Sequence, residues 1–399
     1  MTDPTGSLVV RRIGRLLTMA GTQGVGVVED AAVVVTDGRI AWVGADADIP
    51  NGSDRPELDA AGACVVPGFV DAHTHAVWAG RRTPEFAARM RGARYDGGGI
   101  LTTVAATRAA GHDELVRLAT ERAATMLSHG TTTAEVKTGY AQEPWAEIAL
   151  LDVIAALART TPLRIEATFL GAHSMPRDSD RDGYIDAVVE HLPVAAAHGA
   201  RWADVFCDEG AFTVDESRRI LRAAKEAGLL TRLHAEQLAH TGAAELAAEA
   251  GCASADHLDH VDPAGAAAMS RRGVVGVLLP TATLSTRGTS WQTAAVLLDA
   301  GVTVALGTDC NPGTSWCESM PYAIQLACLL LGLSVEDALR AATRGSAQSL
   351  RRSDVGVVVP GAWGDFAVLA AEHEADLVAH LGAPAVRATV VGGTVAAGH

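Results

Sequence analysis

Eight short apolar runs, each ending in polar residues and separated from the next by an alanine-rich stretch of helical period, constrain the fold of this chain more than any other feature. The runs are VVPGFVDAHTH, TTTAEVKTGY, RIEATFLGAH, ADVFCDEGAF, LTRLHAEQ, ASADHLDH, VVGVLLPTAT and VTVALGTDCNPG, with stretches such as EIALLDVIAALART and VDESRRILRAAKEAG between them. Short continuous apolar runs read as strands buried on both faces, and a helix between successive strands makes them parallel. Eight such units are the count of a (β/α)8 TIM barrel, an α/β fold whose chemistry sits at the C-terminal ends of the strands. At 399 residues the chain has room for that barrel, about 250 residues, and for a satellite domain.

The two ends read differently. SLVVRRIGRLLTM, then AAVVVTDGRIAWVGA around a hairpin signal at Asp37-Gly38, then ELDAAGACVVPG are short strands broken by turns. DFAVLAA and VRATVVGGTVAAG repeat that pattern near the end of the chain. The ends are therefore expected to pair into one small β-sandwich-like domain, residues 1–64 and 353–399, bracketing a barrel over 65–352.

Hydrophobic residues make up 48% of the chain and aromatic ones only 4%, so the core is expected to be aliphatic and alanine-rich. Lys plus Arg number 32 against 47 Asp plus Glu, and the formal charge of −15 argues against nucleic acid or an anionic membrane as partner. An anionic small-molecule substrate then needs a local basic group. The N-terminus carries no apolar run of signal-peptide length, and the most apolar helical stretch, AIQLACLLLGLS, is too short to span a bilayer. Six scattered cysteines form no CxxC pair, which suits buried thiols in a reducing, cytoplasmic compartment.

The polar residues gather where a barrel places its chemistry. His73 and His75 end the first run, Tyr140 the second and His173 the third; His234 and Gln237 end the fifth, His257 the sixth, and Asp309 with Asn311 the eighth. Residues i and i+2 of a strand share a face, so His73 and His75 can turn both imidazoles toward one ion. His234 and Asp309 supply the remaining ligands across the barrel, leaving an open position for water. His173 and His257 are read as partners of substrate or of the ligands. His260 and the remaining histidines receive no role.

The segments PGFVDAHTHAVWAGRR, GGGILTTVAATRAA, EVKTGYAQ, TFLGAHSMP, DVFCDEGAFT, HAEQL, SADHLDH, LLPTAT and TDCNPGTS, in that order, resemble the imidazolonepropionases of the amidohydrolase superfamily. The resemblance implies hydrolysis of the cyclic amide of 4-imidazolone-5-propanoate to N-formimidoyl-L-glutamate, in histidine degradation. It implies a single Zn²⁺ or Fe³⁺ on His73, His75, His234 and Asp309, and a homodimer. It also implies substrate contacts from Arg82, Tyr140, His173, Gln237, Asn311, Gly313 and Thr314. The chemistry is consistent: an ion-activated water attacks the ring carbonyl, Asp309 shuttles the proton, and the planar fork of Arg82 suits the propionate carboxylate. His173, His257 and Glu236 remain open as a further base. Tyr95, in the loop before Gly97–Gly99, and Arg81 remain unassigned.

Three other readings compete. A deaminase of cytosine or guanine type commonly carries a glutamate where this chain has Gln237, which hydrogen-bonds but is no general base. A dinuclear enzyme needs a carboxylated lysine, and Lys137, on the second run, is the only strand-associated lysine. A catalytically silent barrel is disfavoured by retention of all four expected ligands.

Overall fold

The computed structural model describes residues 6–21, 24–50, 55–93, 98–176 and 179–398. Strands β1 (Leu8–Leu17), β2 (Val27–Thr36), β3 (Arg39–Ala45), β4 (Glu57–Asp59) and β5 (Cys64–Pro67) come first. They are followed by β6 (Phe69–Asp71), β7 (Thr131–Lys137), β8 (Arg164–Ala172), β9 (Trp202–Cys207), β10 (Leu230–Ala235), β11 (Ser254–His257), β12 (Val275–Leu278) and β13 (Val304–Leu306). The last three are β14 (Phe366–Leu369), β15 (Val386–Val391) and β16 (Thr394–Gly398).

Strands β6 to β13 lie side by side in chain order, every pair parallel, and each of the eight expected runs supplies one of them. The barrel closes just beyond the regular strands. His75 N–H donates to Cys310 O at 3.0 Å and Asp309 N–H to His73 O at 3.0 Å, so the first and last strands meet at the rim. Below them the buried Asp71 carboxylate accepts from Thr308 N–H at 2.9 Å and from its hydroxyl at 2.6 Å. Burial pushes the Asp71 pKa up to about 7 against those two bonds.

One reading needs correction. VVPGFVDAHTH is not a single strand: Cys64–Pro67 pairs with β1 and β14 in the terminal sheet, whereas Phe69–Asp71 opens the barrel. Pro67 has no N–H to continue a ladder, and at Gly68 a Cβ would lie 2.2 Å from Thr132 Oγ1, so only glycine lets the chain cross between the sheets.

The chain ends do pair. Their strands form one mixed sheet in the order β16-β15-β14-β5-β1-β2-β3, with β4 on β1, and Val10, Ile13, Val33, Val65, Phe366 and Val390 share its core. The hairpin at Asp37-Gly38 has φ of +48° and +77°, the left-handed pair that a two-residue turn of this hand requires. A clamp joins sheet to barrel: the Trp363 ring lies between the guanidiniums of Arg39 and Arg164, at 3.6 and 3.5 Å, and Arg164 reaches Asp365 at 3.0 Å. Asp365 also accepts from Gly392 N–H at 2.7 Å. Removing one partner of a buried pair costs about 3–5 kcal/mol. Asp365→Ala is therefore expected to lower the unfolding free energy by that order, read from urea denaturation, and an unchanged midpoint would remove the clamp from the account of stability.

Candidate metal and substrate site

The rim histidines stand on a charged floor. Glu135 and Lys137 alternate on β7, and both point into the barrel, fully buried. Lys137 Nζ lies 2.8 Å from Glu135 Oε1, 2.8 Å from Asp204 Oδ2 and 3.8 Å from Asp256 Oδ2. Arg232 adds a 3.0 Å contact to Asp256 and donates to Ala72 O at 2.7 Å. Burial alone would lower the Lys137 pKa, but Asp204 and Glu135 reverse that and leave it raised. A lysine held as a cation between two carboxylates is not the neutral amine that carboxylation requires, which removes the dinuclear reading.

Two carboxylates of this floor lie against His73 and His234 from below. His73 Nδ1 lies 2.7 Å from Asp256 Oδ2, and His234 Nδ1 lies 2.9 Å from Asp204 Oδ2, close but off the line of a hydrogen bond. Such carboxylates fix a ring's tautomer and turn its other nitrogen toward a metal. His73 Nε2 is 3.3 Å from His75 Nε2, and both nitrogens are 3.5 Å from Asp309 Oδ1. Donors held about 2.0–2.2 Å from one tetrahedral ion stand about 3.3–3.6 Å apart, so these three atoms have the spacing of a ligand set. Burial first, then the neighbouring imidazoles and Lys137, holds the pKa values of His73 and His75 well below the ordinary range, leaving neutral imidazoles with free lone pairs. His234 approaches from one side, its ring centroid 4.5 Å from that of His73 and 5.5 Å from that of His75. Its nitrogen groups with those of His73 and His257, whereas Asp309 groups with His73 and His75.

Above this cluster lies a cavity of about 440 Å³ whose wall includes His75, His234, His257 and Asp309 together with Arg82, Tyr140, His173, Gln237, Asn311 and Thr314. His173 stacks on His75 at 5.1 Å, with the Tyr140 ring 5.4 Å away. His173 Nδ1 donates to Gly139 O at 2.9 Å, so its Nε2 is the acceptor. Burial lowers the His173 pKa to about 3, which keeps that acceptor available at neutral pH. His257 and Asp309 have φ of +77° and +50°, a left-handed backbone that re-aims the side chain as the strand ends.

Arg82 is buried, and its fork embraces Glu85 at 2.7 and 2.8 Å. Glycines flank it on both sides. A Cβ at Gly313 would lie 2.1 Å from Arg82 Nη1, and one at Gly99 would lie 2.6 Å from Nη2. Gly313 is not part of the wall of this cavity: its N–H donates to Asn311 Oδ1 at 2.8 Å and its carbonyl accepts from Arg89 at 2.7 Å. Asn311 likewise spends its side chain inside the loop, also accepting from Thr314 N–H at 2.8 Å and donating to Asp309 O at 2.6 Å. The path from His75 to Arg82 is fixed by Arg122, whose guanidinium lies 3.3 Å over Trp78 and donates to Ala76 O and Trp78 O. Arg81 is exposed and lies 5.3 Å from the Trp316 ring. Tyr95 falls outside the described residues.

The amidohydrolase family model matches residues 64–396. An imidazolonepropionase from Salinispora tropica is 46% identical over 387 residues, 96% of either chain. One from Mycolicibacterium smegmatis is 44% identical over 394 residues, covering 98% of this chain and 97% of its own. The chain belongs to the imidazolonepropionases of the amidohydrolase family. Among solved structures, an atrazine chlorohydrolase from Arthrobacter aurescens solved with zinc has a TM-score of 0.79 at 20% identity over 97% of this chain and 94% of its own. A zinc-bound adenosine deaminase from Xanthomonas campestris has 0.76 at 21% identity over 98% and 92%. At those identities they show the shared fold. The family and the ligand cluster together support a metal ion at this rim.

Asp204, Asp256, Glu135, Arg232 and Glu85 were not among the residues picked out from sequence. The available signal was a pair of opposite charges two residues apart within a strand run, as in AEVK, where nothing but mutual pairing makes burial tolerable. Asp256→Asn is expected to weaken metal binding about 10- to 100-fold, measured by competition with a chromogenic chelator. Wild-type affinity in that variant would show that the His73 contact does not tune the site.

Proposed function

We propose that this rim hydrolyses the cyclic amide of 4-imidazolone-5-propanoate to N-formimidoyl-L-glutamate, the third step of histidine degradation. The observation that carries the reading is one cavity whose wall contains His75, His234 and Asp309 together with the buried Arg82. A metal-dependent hydrolase of a neutral ring has no need of that cation, whereas a propionate tail in a protein of net charge −15 does.

His73, His75, His234 and Asp309 would hold the ion, Zn²⁺ or Fe³⁺, since three imidazoles and a carboxylate suit either. When bound, the ion supplies Lewis acidity toward the ring carbonyl and makes a water acidic enough to attack near neutral pH. Asp309 Oδ2 would take a proton from the attacking water and return it to the ring nitrogen as the C–N bond breaks. Thr314 Oγ1, 3.3 Å from Asp309 Oδ2, and Asn311, on the Asp309 carbonyl, keep the carboxylate aimed. Arg82 binds the propionate, His173 Nε2 accepts from a ring N–H, and Tyr140 and Gln237 hydrogen-bond the polar edge. His257, beside His73 and His234, orients them and faces the same cavity. Gly313 serves by leaving room for the Arg82 guanidinium.

Among the described residues no helix is long and apolar enough to cross a membrane, and all six cysteines are unpaired. Free thiols suit the cytoplasm, and a homodimer is proposed on the resemblance, to be checked by sedimentation.

Purified protein is expected to consume the imidazolone, followed by its ultraviolet absorbance, to lose activity on chelation and to regain it with Zn²⁺ or iron. Loss of absorbance no faster than in buffer, with metal bound, would sink the assignment. Charge-assisted hydrogen bonds are worth about 1.5–3 kcal/mol. Arg82→Met should accordingly raise KM about 10- to 150-fold with a much smaller change in kcat. Asp309→Asn should abolish turnover, and an active variant would reject its shuttle role.

A further inference from the structure

The loop between β7 and the helix Pro144–Thr160 carries Tyr140, and its backbone is irregular. Gly139 has φ of +117° and Gln142 φ of +62°. A chain that turns through two left-handed residues cannot satisfy its N–H groups by regular pairing, yet this one is buried. Its donors converge on one side chain. Glu147, 1% exposed in the first turn of the helix, accepts from Gly139 N–H at 2.5 Å on Oε2, and from Ala141 and Gln142 N–H at 2.7 and 2.8 Å on Oε1.

Two rim positions depend on that grip. With its N–H held, Gly139 presents its carbonyl to His173 Nδ1 at 2.9 Å, which leaves Nε2 as the acceptor. A Cβ at Gly139 would lie 2.7 Å from the same nitrogen, so loop and imidazole are in direct contact. Tyr140, between two of the held amides, is 2% exposed, with its ring 5.7 Å from that of His75 and 5.4 Å from that of His173. The opposite side of the His173 segment has its own brace: Tyr184 Oη donates to Gly171 O at 2.8 Å and lies 3.2 Å from Ser174 O. Glu147 itself is not part of the cavity wall.

We propose that Glu147 is a positioning residue that sets substrate affinity by holding the 139–142 loop, and through it Tyr140 and His173, against the ligand cluster. The inference rests on the reading that Tyr140 and His173 contact the substrate. A carboxylate has enough lone pairs on two oxygens for three donors, whereas a glutamine of the same shape has one acceptor oxygen and turns an NH₂ group toward at least one N–H. Glu147→Gln keeps the volume and breaks the grip.

The test is steady-state kinetics on the metal-loaded enzyme with the imidazolone as substrate. Glu147→Gln is expected to raise KM about tenfold while kcat stays within about threefold, since the lost contacts serve binding. Metal content should be unchanged. Added to Tyr140→Phe or to His173→Asn, the same substitution should raise KM by less than half its factor in the wild-type background, because residues acting as one unit are not additive. Full additivity, or a fall in kcat with KM unchanged, overturns the proposal. If Tyr140→Phe and His173→Asn raise KM and Glu147→Gln does not, Glu147 alone is rejected. If neither rim variant changes KM, the reading of the rim fails and the proposal falls with it. A check on unmodified enzyme covers a Glu147→Gln variant that does not fold. The amides of Gly139, Ala141 and Gln142 should exchange with solvent as slowly as those of β7, and rapid exchange there rejects the grip.

Discussion

The ion cluster inside the barrel is the constraint on which the rest of the site depends. Glu135, Asp204 and Asp256 face Lys137 and Arg232 with every member buried, and ions so placed are tolerable only while each keeps its partners. The arrangement is directional. Its two cations lie within the floor, while Asp256 and Asp204 reach upward to His73 and His234, so excess negative charge is presented where a cation would sit. Burial would protonate Asp204, but His234 and Lys137 keep its pKa well below the carboxylate range, and it stays an anion beside the ring. The floor fixes which imidazole nitrogens look up, and the strand ends then decide what they meet.

Selectivity is built on a different principle. Arg82 has its room from the absence of side chains at Gly99 and Gly313. Glu85 engages both Arg82 and Arg89, at 2.7 and 2.8 Å, so the guanidinium is oriented by a carboxylate before any substrate arrives. On the proposed reading, a propionate would meet a fork already set in plane, which lowers the ordering cost of binding. Any side chain larger than glycine at position 313 collides with the guanidinium itself.

The barrel was legible in the sequence because both of its signals are local. Apolar runs of strand length alternate with helical stretches, and strand-end polar residues fall at matching places in successive runs. The rim was legible for the same reason, since His73, His75, His173, His234, His257 and Asp309 each end a run. Contacts between runs were hidden. Nothing local separates Asp256 beneath His73 from an acidic residue at a strand edge, or shows that Gly313 matters through an arginine some 230 positions away. The division of VVPGFV between two sheets was obscured because both halves are apolar, and only the approach of Thr132 to Gly68 separates them.

A single device recurs where strands turn into site. Asp71 accepts from Thr308 N–H at the seam, Asp208 from the N–H groups of Gln237, Leu238 and Ala239, Glu236 from Gly242, and Glu147 from three amides after β7. Each grip sits near a residue with left-handed φ, Asp309, Glu236 or Gln142, where the ladder has ended and backbone donors have lost their strand partners. A carboxylate is the side chain that can gather several such donors at once, which gives part of the acidic excess a structural use. Rim side chains therefore stand on loops whose backbone donors are held by carboxylates in place of strand partners. Binding and proton transfer can then draw on geometry set during folding, without ordering the rim anew for each substrate molecule.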